Sequence, residues 1–317
     1  MDRLRLGQYG PDEVALVFPG GGSQYVGMGK DVCEHYPVAQ RVLEEADAIL
    51  SFSLSRLCFD GPVEELGDTF NAQPATVAIS AALLAALQER SGDQLLPAFV
   101  AGHSTGQYTA LLAAGVLDLA AVLRLVRERG RLMKASGEQR AGAMAAVLGL
   151  DAATLQAVCE ESGDVWIAND NAPGQIVLSG EKQALARALQ LAKQRGAKRT
   201  IPLAVNIASH CPLMAPAASR LAGIVETLPL AHASVPIVAN SSARPVSQEP
   251  AIRHELVQHL TSPVRWVESV RYMVAHGVRT FIEVGPKSVL SGLIKRIDAT
   301  VETISVGLAT DIEAVLG

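Results

Sequence analysis

Apolar positions along the chain fall into two periods. Short apolar runs at Val14–Phe18, Leu95–Ala101, Ile237–Asn240 and Arg279–Glu283 have the length of buried strands. Between them, apolar residues recur every three or four positions over helix-length stretches. Pro37 to Leu50 carries Val38, Val42, Leu43, Ala46 and Leu50 on one stripe, and Leu117 to Lys134 carries Leu119, Val122, Leu123, Val126 and Leu132. Ala75 to Leu87 opens at Gln73-Pro74, which puts a proline in the first turn. Further helices are predicted from Leu213 through Val225 and over Ile252–Leu260, Val264–Ala275 and Lys287–Ile297. Strands that alternate with helices predict a mainly parallel sheet covered on both faces.

The pattern changes near Gly142. Strands are predicted at Gly142–Leu150, Val165–Ala168, Gln175–Leu178 and Arg199–Leu203, with helices at Asp151–Glu161, capped by Asp151, and Lys182–Gln194. That order, β-α-β-β-α-β, is the ferredoxin-like split βαβ unit. It predicts a small domain at 139–205 inserted into a larger, discontinuous one made of 1–138 and 206–317.

Composition narrows the function. Of 317 residues, 49% are hydrophobic and 19% charged, as expected of an α/β enzyme with a large interior. Aromatics at 4% supply no stacking platform for single strands, and a net charge of −5 argues against polyanion binding by the chain as a whole. No nucleic-acid partner is expected. Cys33, Cys58, Cys159 and Cys211 show no C-x-x-C pair and no metal-ligand spacing, so buried free thiols in a reducing compartment are expected. Met1–Gly7 lacks the apolar stretch of a signal peptide, and apolar runs elsewhere are too short or interrupted to span a bilayer. A cytoplasmic protein without membrane contact is the expectation.

The chemistry centres on Gly102-His103-Ser104-Thr105-Gly106, a G-x-S-x-G turn between a predicted strand and a predicted helix. In that context the glycines allow a sharp turn that lifts the serine hydroxyl clear of the backbone, and the N–H of Thr105 can face a developing oxyanion. The earlier Pro19-Gly20-Gly21-Gly22-Ser23-Gln24 admits three readings: a phosphate cradle (without the G-K-[ST] ending of a P-loop), the other half of an oxyanion hole, or a tight turn into a helix.

Seven stretches then agree with one family in order: Phe18–Gln24, Gln73-Pro74-Ala75, Gly102–Gly106, Arg129-Gly130, Asn169–Gln175, Ser209–Met214 and Glu283–Pro286. The chain resembles the malonyl-CoA:acyl-carrier-protein transacylases and the related acyltransferases of polyketide synthases, over nearly its whole length. The resemblance implies an α/β-hydrolase-like core with a ferredoxin-like insert, in agreement with the pattern above. It also implies transfer of an acyl group from acyl-CoA to the phosphopantetheine thiol of an acyl carrier protein through an ester on Ser104. His210 is implied as general base, the backbone N–H groups of Gly21 and Thr105 as the oxyanion hole, and Arg129 as the partner of a malonyl carboxylate. Gln73, His103, Asn169 and His259 are implied to line the site or orient the base. No metal or redox cofactor is implied.

Three positions depart from the family pattern. Gly21 stands where Gln is usual, which makes the pocket roomier while keeping the backbone donor. Gln107 replaces the usual Glu after the elbow, expected to be a small change on the helix. His259 stands where a Gln or Asn orients the base; it can serve if its backbone carbonyl is the acceptor, or it lines the carrier or substrate entrance. Ile207-Ala208-Ser209-His210 matches neither common form of the stretch tied to malonyl or methylmalonyl choice; malonyl is the expectation, with methylmalonyl or a larger group open. Lys193, Arg195, Lys198, Arg199, Lys287, Lys295 and Arg296 are either a basic rim for an acidic carrier or ordinary solvated charge.

Overall fold

The first apolar run becomes the central strand β1 (Val14–Phe18) of the larger of two sheets in the computed structural model, which describes Gly10, 13–92 and 95–316. The N-terminal stretch Met1–Gly7 lies outside the described residues. After β1 the chain runs through α1 (Lys30–His35), α2 (Pro37–Leu50), α3 (Leu54–Asp60), α4 (Val63–Gly67) and α5 (Thr69–Ser91) to β2 (Phe99–Gly102), α6 (Gly106–Ala113) and α7 (Leu119–Gln139). Next come β3 (Gly142–Leu148), α8 (Ala152–Ser162), β4 (Val165–Ala172), β5 (Gln175–Glu181), α9 (Lys182–Gln194) and β6 (Arg199–Pro202). The chain closes with α10 (Ala215–Glu226), β7 (Ile237–Val238), β8 (Pro245–Val246), α11 (Glu249–Gln258), α12 (Trp266–Ala275), β9 (Thr280–Val284), α13 (Val289–Ile297), β10 (Glu302–Val306) and α14 (Ala309–Leu316).

The larger sheet has the order β10-β9-β1-β2-β7-β8 and is parallel except for the short β7–β8 pair. Alternation along β1 shows how it is buried. Val14, Leu16 and Phe18 join the core under α2, α5 and α7, whereas Ala15 and Val17 join the core under α12 and α13. The second sheet, β4-β5-β3-β6, is antiparallel throughout, and Ala145, Val147, Ile176 and Leu178 bury one of its faces against Leu155, Val158 and Leu185 of α8 and α9. Asp151 caps α8 by accepting the Thr154 N–H at 2.7 Å.

Among the elements that differ from expectation are α5 and β4. α5 begins at Thr69, because Asp68 accepts the Phe70 N–H at 2.9 Å and starts the helix ahead of Pro74; the proline therefore lies inside it. By length and composition α5 could cross a membrane, but it is buried almost throughout as the central core helix. β4 runs to Ala172, with register shifts near Ile167–Asn169 and Asp170–Ala172. All four cysteines are free; Cys58, Cys159 and Cys211 are buried and Cys33 is half-buried.

Candidate active site

The turn between β2 and α6 holds Ser104 at φ 51°, in the left-handed region that costs a non-glycine residue about 1–2 kcal/mol. Glycines on both sides make the turn fit its surroundings. A Cβ on Gly106 would lie 2.0 Å from the Phe18 carbonyl oxygen, and one on Gly20 would lie 2.2 Å from that of His103. The glycine-rich loop after β1 and the serine turn after β2 therefore interlock, aided by the His103 N–H donating to Phe18 O at 3.0 Å. The Ser104 N–H donates to Asn240 Oδ1 at 2.7 Å. A Cβ on Gly21 would meet nothing within 4 Å, so the loop is open on that side.

His210 lies between β6 and α10, also with positive φ, at 59°. Its Nε2 is 2.7 Å from Ser104 Oγ, and its Nδ1 is 2.7 Å from the backbone carbonyl oxygen of His259. A carbonyl only accepts, so the proton sits on Nδ1 and the Nε2 lone pair faces the serine hydroxyl. Burial, followed by the positive charge of Arg129, pushes the imidazole down to about 3 and keeps it neutral. The pair can take a proton from the serine as it attacks an acyl carbon.

Arg129 reaches the same point from α7. Its Nη2 donates to Ser104 Oγ at 3.2 Å, and its Nη1 donates to Gln73 Oε1 at 2.5 Å and to Thr105 Oγ1 at 3.4 Å. Gln73 is held in turn by donating Nε2–H to Thr69 Oγ1 at 2.8 Å. Among the described residues the buried guanidinium has neutral partners only, and its Nε has none. Among the described residues no carboxylate pairs with it. A buried cation so placed suits an anionic group presented beside Ser104.

The remaining expected residues divide. His103 donates Nε2–H to Asn171 Oδ1 at 2.7 Å and sets its ring edge-on to Trp266, fastening the serine turn to β4. Asn169 is buried on β4, paired with Val264 through a parallel bridge; among the described residues, no hydrogen bond joins it to Ser104, His210 or Arg129. His259 offers its carbonyl to His210, and its own ring packs edge-on against Tyr108. Among the described residues no group of three or more His, Cys, Asp or Glu could hold a metal ion.

The acyl transferase domain family model matches residues 15–309. The chain belongs to this family. Among its relatives, the malonyl CoA-acyl carrier protein transacylase of Bacillus subtilis (strain 168) is 45% identical over 305 residues, 95% of each chain. That of Escherichia coli (strain K12) is 44% identical over 288 residues, 90% of this chain and 93% of the relative. The malonyl-transacylase solved in complex with its type II PKS acyl-carrier protein superposes with a TM-score of 0.93 at 41% identity, covering 96% of this chain and 99% of the other.

In this acyl transferase a cleft of about 360 Å³ leads to His210 between the second sheet and the segment before α12, past Trp166, Ile167, Asp170, Thr261 and Arg265. Of the seven basic residues considered as a rim, Arg195 pairs with Glu161, Lys287 donates to Gly22 O, Lys295 to Val301 O and Arg296 to Gln175 and Pro173. Sequence reasoning missed Asn171, Asn240 and Glu255. Asn171 stood inside a motif already noted, two residues from the asparagine chosen. Gln107 is also more than a small change on the helix, since its buried Oε1 accepts from Asn240 Nδ2 at 2.5 Å.

Proposed function

We propose that this acyl transferase moves a malonyl group from malonyl-CoA to the phosphopantetheine thiol of an acyl carrier protein, as a cytoplasmic enzyme of fatty acid or polyketide synthesis. Ser104 Oγ attacks the thioester carbonyl while its proton passes to His210 Nε2. The oxyanion is held by the N–H groups of Gly21 and Thr105, each such donor being worth about 10²–10³ in rate. As the tetrahedral centre collapses, the C–S bond breaks and the CoA thiolate leaves with the proton from His210. The carrier thiol then gives its proton to the same nitrogen, its sulfur attacks the Ser104 ester, and the serine oxygen departs reprotonated. The ferredoxin-like segment 139–205, with Asn171 and the cleft wall, acts as a small domain over a catalytic domain formed by 1–138 and 206–317.

The observation that carries the malonyl reading is the buried, carboxylate-free Arg129 at 3.2 Å from the nucleophile. A planar, always charged fork grips a carboxylate in two-point fashion. Pairing with the malonyl carboxylate also neutralises the charge that depresses His210, so binding of the right acid strengthens the base. The test compares acyl-CoA scope in wild type and Arg129→Ala. Malonyl loading is expected to lose about 2–5 kcal/mol of stabilisation, with acetyl loading little changed. A wild type that loads acetyl as readily as malonyl removes this role, and free malonate without acylated carrier indicates a hydrolase instead.

A further inference from the structure

Glu255 is a buried carboxylate on α11 that the transfer chemistry does not use. Every acceptor site it offers is directed at the segment behind the nucleophile. Oε1 accepts the Asn240 N–H at 2.7 Å and the Ser241 N–H at 3.2 Å, and Oε2 accepts the Ser241 hydroxyl. Among the described residues no cation pairs with it. A charge buried without a counterion is costly, and donors converging on it are what make it tolerable.

Asn240 is likewise fully committed. Its Nδ2 donates to Gly102 O at 2.7 Å and to Gln107 Oε1 at 2.5 Å, and its Oδ1 accepts the Ser104 N–H at 2.7 Å. It therefore grips the serine turn on both sides of the left-handed residue. Four residues further on, the C-cap of the helix that carries Glu255 serves the base. The Glu255 carbonyl accepts the His259 N–H at 3.0 Å, and the His259 carbonyl accepts Nδ1–H of His210. One helical turn is thus tied to the nucleophile through a side chain and to the base through the backbone.

We propose that Glu255 is a positioning residue that, acting through Asn240, holds the strained Ser104 turn in register with the His210 imidazole. The proposal rests on the acyl-Ser104 reading above. It assigns to Glu255 the alignment of the pair and leaves recognition of the acyl group to Arg129 and Gln73. Misplacement of a reacting group by about 1 Å is enough to cost roughly 100-fold in rate.

The experiment is a rapid-quench measurement of Ser104 acylation by malonyl-CoA, read by intact mass, on folded enzyme checked by thermal melting. Glu255→Met fills the volume and removes the acceptors; Glu255→Gln keeps one oxygen for Asn240. The Met variant is expected to acylate about 10- to 100-fold more slowly, with half-saturation by malonyl-CoA within about twofold of wild type. The Gln variant should recover to within about threefold. Asn240→Ala should slow acylation similarly, and adding Glu255→Met to it should cost little more, because both break one link. A role in stability alone would lower the melting point and leave the acylation rate of folded enzyme unchanged. Should Glu255→Met fail to fold, Asn240→Ala decides: acylation at the wild-type rate overturns the proposal. Fully additive losses in the double variant, or a half-saturation that rises in step with the loss of rate, overturn it as well. Wild type that forms no acyl-Ser104 sinks the proposed function, whereas wild type that acylates alongside equally fast Met and Ala variants sinks this inference alone.

Discussion

His210 is held neutral by three influences: a carbonyl fixes its tautomer, burial disfavours its charged form, and Arg129 adds to that penalty. Because the first of these is backbone, the side chain at 259 is free to vary. Among the described residues the buried His259 Nε2 has no partner; its Nδ1–H donates to the Glu255 carbonyl oxygen at 3.3 Å, and the ring otherwise packs against Tyr108. His259→Gln is therefore expected to keep the steady-state rate within about threefold, whereas His210→Ala should lose about 10²–10⁴-fold. A collapse of the 259 variant to the level of the 210 variant, in the same assay, would show that the ring itself does chemistry. At this scale the sequence disclosed residues that sit in motifs and hid those defined by distant partners. Ser104, His210 and Arg129 could be named in advance. Asn240 could not, because its role exists only once Gly102, Gln107 and Glu255 surround it. Glu255 left one trace, an acid beside Ile252 and Leu256 on the buried stripe of α11.

The elements that matter most are the two loops leaving the parallel strands β1 and β2, joined in register at Phe18 and Gly102. Their contact leaves no room for a methyl at Gly106 and ample room at Gly21. Gly106→Ala should cost about 1–3 kcal/mol or more through overpacking and abolish acylation with it. Gly21→Ala should melt close to wild type and stay active, since that loop contributes a backbone donor. Measuring melting temperature and acylation together checks both, and equal damage from the two substitutions would refute the interlock. Periodicity found the helices with strong stripes, α2 and α9 to the residue. It misplaced the start of α5, where the Asp68 cap outweighed the preference of Pro74 for a first turn. β10 and α14 escaped notice because β10 is polar at its start and only partly buried, so no alternation stands out.

Across the whole molecule, burial holds His103, His210 and His259 below the ordinary histidine range. The unfolded chain takes up protons at these positions below about pH 6.5, the folded chain only at lower pH. Stability is therefore complete above that pH and falls on acidification, by up to about 1.4 kcal/mol per pH unit for each histidine. Glu255 and Glu283, pushed up by burial, act in the opposite sense at the acid end, because the folded state protonates them first. Thermal melting should drop between pH 6.5 and 5, with a shallower slope in His259→Gln. A melting point that stays level or rises over that interval would mean that these rings are charged in the native state.

The proposed acylation of Ser104 can be watched directly. Intact-mass measurement of wild type and Ser104→Ala after exposure to malonyl-CoA, followed by addition of a phosphopantetheinylated carrier protein, follows the acyl group through both half-reactions. The account predicts one malonyl adduct on wild type, none on Ser104→Ala, and transfer of that adduct to the carrier. An adduct that persists in Ser104→Ala, or wild type that never carries one, would contradict it.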